Sequence, residues 1–245
     1  ADVRAVFVGP ALDVAQLVEA IPPGVARWSL PYPDVPALDA GWDELIAGQP
    51  RHAGYVTPPP DRLLALIYTS GTTGLPKGAM ITQGNVEFIC EHFLEHVLRP
   101  LGFSIGDGSE RLLSYLPLAH LYERMACLGA SLLIGAQVYF LENIEAMGET
   151  LRRVSPSLFV GVPLVYARLQ AGVLAKLPQG RLDLLLRLPW VGRRLRQAIR
   201  RQLGLAQAKL SISGSAPIAP ALLDWFERLG VDIMEGYGQT ENYAY

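Results

Sequence analysis

The sequence predicts an α/β fold, a mostly parallel sheet layered with helices. Short apolar runs alternate with longer segments of helical period almost from end to end, the pattern made when parallel strands are joined by crossover helices. Several of those runs are apolar throughout, as strands covered on both faces must be. Strands are expected at residues 4–8, 26–30, 63–68, 112–116, 137–141, 158–162, 209–213 and 231–234, and helices at 85–98, 123–133, 164–175, 191–203 and 220–229.

With 245 residues, half of them hydrophobic, the chain is long enough for a large buried core. Residues 49–61 carry Pro50, Gly54 and the triplet Pro58, Pro59, Pro60, a composition that stiffens a linker and cannot join a sheet ladder. A small βαβ-like segment over residues 1–57 and a main body over 58–245 are therefore expected. The net charge of -2 gives no global reason to expect nucleic acid as a partner. Cys90 and Cys127 lie far apart in apolar surroundings, which fits buried thiols in a reducing compartment, and the cytoplasm is the expected location. The N-terminus lacks the pattern of a signal peptide. The longest uncharged stretch, residues 125–141, is broken by Gly129, Ser131, Gly135 and Gln137 and reads as a buried helix, a turn and a strand.

The strongest chemical signal follows the strand at 63–68. Thr69, Ser70, Gly71, Thr72, Thr73 and Gly74 lead into Leu75, Pro76, Lys77 and Gly78. Glycines let backbone N–H groups approach a phosphate, hydroxyls add neutral donors and Lys77 adds a cation. A plain Gly/Thr-rich connecting loop does not need this density of donors. The Walker pattern G-x-x-x-x-G-K-[ST], counted from Gly71, brings Lys77 into register but meets Pro76 in place of its second glycine and Gly78 in place of its Ser or Thr.

The run from 68 to 78, YTSGTTGLPKG, resembles the signature of the adenylate-forming (AMP-binding) superfamily, and in particular its long-chain fatty acyl-CoA synthetases. Three further motifs agree in order. YLPLAH at 115–120 with Glu123 and Arg124 resembles the segment near the acyl and adenylate site, which makes His120 a site candidate; read alone, His120 is equally a helix-start residue satisfied by backbone. Gly214, Ser215, Ala216 and Pro217 end an apolar strand, and the resemblance makes them the loop beside adenine. Gly236, Tyr237, Gly238, Gln239, Thr240 and Glu241 resemble the YGxTE motif, which implies Tyr237 stacked on adenine, Thr240 at the α-phosphate and Glu241 as ligand of Mg²⁺. Residues 159–166, FVGVPLVY, resemble the border of the acyl tunnel, although Leu164 stands where the family usually has arginine.

What the resemblance implies is ATP-dependent activation of a long-chain fatty acid to an acyl-adenylate, followed by transfer to coenzyme A. Thr69, Ser70, Thr72, Thr73 and Lys77 would hold the pyrophosphate. Amino-acid or aryl-acid adenylation and a non-catalytic nucleotide-binding module are the alternatives. Family members are much longer. The C-terminal lid domain with its lysine, and the aspartate that holds the ribose, are absent from these 245 residues, so a fragment that is inactive alone is expected. The oligomeric state is open.

Two patterns lie outside that frame. His92, Glu95 and His96 match H-x-x-E-H, a zinc-peptidase spacing, but Val86, Ile89, Phe93 and Val97 form the apolar side of the same helix and leave both histidines mainly on its polar, solvated side. Arg181, Arg187, Arg193, Arg194, Arg196, Arg200 and Arg201 face a single acid, Asp183. Such a run is either the charged face of an ordinary helix or a site of peripheral membrane contact.

Overall fold

The computed structural model describes residues 3–11, 13–51, 53–54, 56–69 and 76–243, without the side chain of Ala126. The chain forms two compact units, Ala1–Thr57 and Pro58–Tyr245.

In the first unit, strands β1 (Ala5–Val8), β2 (Ala26–Ser29) and β3 (Ala40–Gly41) make a parallel sheet in that order, with helix α1 (Val14–Glu19) between the first two and α2 (Trp42–Ile46) after the third. Asp13 starts α1 by accepting the Gln16 N–H at 2.9 Å. The ring of Phe7 meets Trp28 edge-on at 4.9 Å. The Arg27 guanidinium, 2.6 Å from Asp39, holds that carboxyl below its ordinary value.

The second unit contains a five-stranded, wholly parallel sheet of β6 (Arg111–Ser114), β7 (Gln137–Phe140), β8 (Leu158–Gly161), β9 (Leu210–Ser213) and β10 (Ile233–Glu235), ordered β10-β9-β8-β6-β7. Each stretch expected as a strand is one, its ends shifted by a residue or two. Successive side chains of β8 point to opposite faces. Phe159 enters a core shared with α6 (Met147–Val154), α7 (Pro163–Leu174), α8 (Gln179–Arg187), α9 (Pro189–Leu203) and α10 (Pro220–Arg228). Leu158 and Val160 enter the opposite core, with Leu98, Phe103, Ala130 and Ile134. The sheet is thus sandwiched between two helical layers, and its central strands β8 and β9 are buried along their whole length.

One expectation needs correction. The strand expected at 63–68, β4 (Leu63–Thr69), does not join the parallel sheet. It pairs antiparallel with β5 (Lys77–Thr82), with Thr69 opposite Lys77. Ile67 and Ile81 are buried, whereas Leu64, Tyr68 and Met80 are exposed. Helix α3 (Gln83–Phe93) begins only after β5, where Thr82 and Asn85 form a reciprocal capping box, and it continues in wider turns over Leu94–Leu98. Helices α6 and α8 were not expected from the sequence. Among the described residues no helix is long and apolar enough to cross a membrane.

Candidate active site

In a parallel sheet whose strand order reverses, ligands bind beyond the carboxyl ends of the strands. Here the chain runs from β6 out to β7 and returns past β6 to β8. On that side of the sheet, a cavity of about 680 Å³ is lined by residues that follow β6, β9 and β10, together with the end of β4 and one side of α3.

Its floor is backbone. Gly214, just past β9, and Gly236, just past β10, lie against each other: the Gly236 N–H donates to the Ser213 carbonyl at 2.7 Å, and a Cβ on Gly214 would come within 3.2 Å of the Gly236 oxygen. Ser215 has the left-handed φ of 68°, unusual for a residue with a side chain, and lines the cavity. Beyond Gly236 the chain carries Tyr237, whose ring is 80% exposed and whose hydroxyl accepts from Gln239 Nε2 at 2.8 Å. Thr240 and Glu241 follow on a single tight turn, and the next anchor is Tyr243, buried with Ile67, Ile81, Ile89 and Leu121. That cluster ties the segment of Glu241 to the β4–β5 hairpin.

The opposite wall comes from the segment after β6. The Tyr115 hydroxyl donates to the Val160 carbonyl at 2.8 Å and its N–H to the buried Glu123 carboxylate at 3.2 Å. Tyr166 in α7 donates to the Ile212 carbonyl at 3.1 Å. These bonds fasten the ends of β6, β8 and β9 together. His120 opens α4 (Leu121–Glu123): its Nδ1 accepts the Tyr122 N–H at 3.2 Å, which leaves Nε2 as the ring donor of the neutral imidazole. His120 is therefore both a backbone-satisfied helix start and a cavity residue. Burial pushes the Tyr115 and Tyr122 phenols well up, so both stay neutral donors. The Tyr122 hydroxyl is buried at this wall with no hydrogen-bond partner among the described residues, as is that of Ser213.

Thr69, His120, Gly214, Ser215, Gly236, Tyr237, Gly238, Thr240 and Glu241 are brought to this one cavity. Lys77 stands opposite Thr69 at the hairpin, but Lys77, Ala216 and Pro217 are not part of the wall. Ser70, Gly71, Thr72, Thr73 and Gly74 lie outside the described residues. Sequence reasoning missed most of the apolar wall, formed by Ile89, Phe93, Val97, Leu121, Met125 and Ile212. His92 and His96 line the cavity, their rings 5.6 Å apart, with His92 Nδ1 2.8 Å from the Phe88 carbonyl. The apolar side of α3 with its continuation thus lines the cavity, and its polar side borders the same cavity with His96 exposed to solvent. Among the described residues no cluster of three or more His, Cys, Asp or Glu is placed to hold a metal. One carboxylate at Glu241 suits Mg²⁺, which keeps most of its waters and takes the rest of its oxygens from substrate phosphates.

Residues 1–245 match the AMP-binding enzyme family over their whole length. The chain belongs to the AMP-binding, adenylate-forming enzymes. It is 33% identical over 216 residues to human long-chain-fatty-acid–CoA ligase 6, covering 79% of this chain and 30% of that protein. It is 32% identical over 216 residues to a peroxisomal acyl-CoA ligase of Penicillium brevicompactum, covering 78% and 29%. Among solved structures it resembles the adenylation domain of a carboxylic acid reductase from Segniliparus rugosus, seen with AMP and a co-purified carboxylic acid, at a TM-score of 0.61 and 26% identity over 89% of this chain and 38% of that one. This AMP-binding chain thus spans about 30% of the length of the curated relatives it matches.

Proposed function

We propose that this chain carries the nucleotide- and acyl-binding core of an ATP-dependent acid–thiol ligase that activates a long-chain fatty acid. One observation carries the reading: the cavity joins a polar rim of Thr69, Tyr237, Thr240 and Glu241 to an apolar wall that includes Phe93, Leu121 and Met125. A nucleotide phosphate needs the first and an alkyl chain the second. The reductase domain bound to AMP and a carboxylic acid supports the same pairing.

The exposed ring of Tyr237 offers its face to adenine, above the close packing of Gly214 on Gly236. Thr240 donates to the α-phosphate, Glu241 holds Mg²⁺, and Lys77 with the hydroxyls of residues 69–73 holds the β and γ phosphates. A fatty-acid carboxylate oxygen attacks the α-phosphorus in line. The new P–O bond forms as the bond to pyrophosphate breaks, giving acyl-adenylate. The thiol of coenzyme A then attacks the carbonyl carbon, and AMP leaves. Positioning and charge neutralisation are the protein's share of both steps.

The test is pyrophosphate exchange by the protein that contains these residues, across a panel of fatty, aryl and amino acids. Long-chain fatty acids are expected to support exchange and Glu241→Ala to abolish it. Exchange with aryl or amino acids alone would move the substrate class, and nucleotide binding without exchange would leave a binding module.

A further inference from the structure

The arginine run divides into two groups with different work. Arg196 Nε donates to the Arg228 carbonyl at 2.8 Å, and Arg200 Nη1 to the Gly230 carbonyl at 3.2 Å, so these two fasten α9 to the end of α10. Asp183 is taken up by the Arg228 guanidinium. Arg181, Arg193, Arg194 and Arg201 make no hydrogen bond or ion pair among the described residues, while Arg187 adds its charge to the pull on Asp183. No Asp or Glu occurs in the chain between Asp183 and Asp224 to neutralise them.

Within each helix, spacing turns these charges away from the buried side. In α8, Leu182 and Leu186 are buried, while Arg181, Leu184 and Arg187 turn outward. In α9, Ile199 and Leu203 are buried, while Trp190, Arg193, Arg194 and Arg201 turn outward. Leu188 is the sole residue between the two helices, so the corner presents Leu184, Leu188, Trp190 and Val191, with Leu184 at 63% and Trp190 at 82% exposure. A large exposed indole beside aliphatic side chains and unpaired guanidinium groups costs solubility and adds nothing to the core.

We propose that this α8–α9 corner docks on an anionic lipid bilayer. Trp190 rests at the level of the headgroups with Leu184, Leu188 and Val191 dipping below them, and the free arginines meet lipid phosphates. Charge complementarity selects the surface, and the aliphatic side chains select lipid over nucleic acid, whose phosphate backbone offers them nothing to bury against. The docking needs neither nucleotide nor fatty acid, so it stands or falls apart from the ligase reading.

The test is co-sedimentation of this chain with vesicles of phosphatidylcholine alone or mixed with phosphatidylglycerol. The chain is expected to sediment with the mixed vesicles only, and less at high salt. Arg193→Gln and Arg194→Gln should each weaken binding about fivefold, and Trp190→Ala about tenfold. All three positions are exposed, so thermal unfolding should not change. As a second readout, lipid should shift tryptophan emission to the blue in the parent chain and not in Trp190→Phe. Equal binding to neutral vesicles, no binding, or variants that bind like the parent would overturn the proposal. So would an RNA oligomer that binds more tightly than the mixed vesicles and is weakened by the same substitutions, or a lipid-free self-association that Trp190→Ala abolishes while vesicle binding persists.

Discussion

The carbonyl oxygen of Gly236 lies 3.2 Å from the place a Cβ on Gly214 would occupy. Two strand ends, β9 and β10, therefore meet through bare backbone at the floor of the cavity. A methyl group at residue 214 forces that carbonyl to move by a few tenths of an ångström, and the peptide it belongs to leads into Tyr237. Gly214→Ala is expected to cost about 1 kcal/mol of stability through local overpacking. Its effect on nucleotide affinity should be larger, roughly tenfold, because the displaced group sits under the ligand. Calorimetric titration with ATP beside a denaturant curve measures both; affinity unchanged in a folded variant would remove Gly214 from the site.

Ser215, next along, holds a left-handed φ of 68° that a side chain makes unfavourable. Ser215→Gly should relieve that strain and raise stability, by up to about 1 kcal/mol after the entropy a glycine adds to the unfolded chain. Ser215→Val should lower it, since a β-branched side chain tolerates this backbone least. Denaturant midpoints of the pair check the sign.

Acid should loosen the second unit through Glu110. Its buried carboxylate lies 2.6 Å from Lys209 Nζ and accepts the Ser104 N–H at 2.6 Å, while the same ammonium donates to the Gly102 carbonyl at 2.8 Å. Burial alone would raise the carboxyl, but the Lys209 ammonium together with the Ser104 N–H and the Ser157 hydroxyl holds it below the ordinary 4.5. A group lowered on folding stabilises above its unfolded value and loses that contribution as pH falls through its folded value. Stability should therefore decline below about pH 4.5. Glu110→Gln should cost about 2 kcal/mol at neutral pH, between an exposed and a fully buried pair because Lys209 is partly open to water. The gap between variant and parent should close as the solution is acidified. A gap that stays constant with pH would mean that the pair's charge contributes nothing.

Periodicity made the parallel sheet legible because strands such as β8, Leu158–Gly161, carry no polar side chain, and strands covered on both faces read that way. The same rule misled at β4, whose apolar run belongs to a two-stranded hairpin with an open face. Its partner β5, beginning KGAM, carries no strand signal of its own and exists because the chain folds back on β4. Helix α8 was hidden inside the arginine run, where Pro189 separates two helices that composition merges into one. At the site, Gly214, Tyr237 and Glu241, which motif order singles out, line one cavity, and the polar side of α3 with its continuation borders the same cavity. A helical wheel separates polar from apolar sides but cannot tell a polar side facing water from one facing a cavity, and His92 and His96 face a cavity. The Tyr122 hydroxyl left no sequence signal, because its lack of a partner is a property of packing alone.

Among the described glycines, the tightest backbone approach lies away from the site, where α9 ends. Gly204 takes a φ of 74°, and a Cβ there would fall 2.2 Å from the Leu151 carbonyl oxygen at the end of α6. Two costs coincide: the left-handed backbone and a collision with main chain that no rotamer change relieves. Gly204→Ala is expected to destabilise the second unit by more than about 3 kcal/mol, combining left-handed strain with overpacking. Asparagine separates the causes. It tolerates left-handed φ, so Gly204→Asn would be mild if the backbone angle were the whole reason, yet its Cβ meets the same carbonyl. Gly24→Asn is the control, with a φ of 84° and nothing within 4 Å of the added carbon. Thermal unfolding should show Gly204→Ala and Gly204→Asn both severely destabilised and Gly24→Asn close to the parent. Rescue of Gly204 by asparagine would place the whole cost in the backbone angle and make the approach of α9 to α6 incidental to stability.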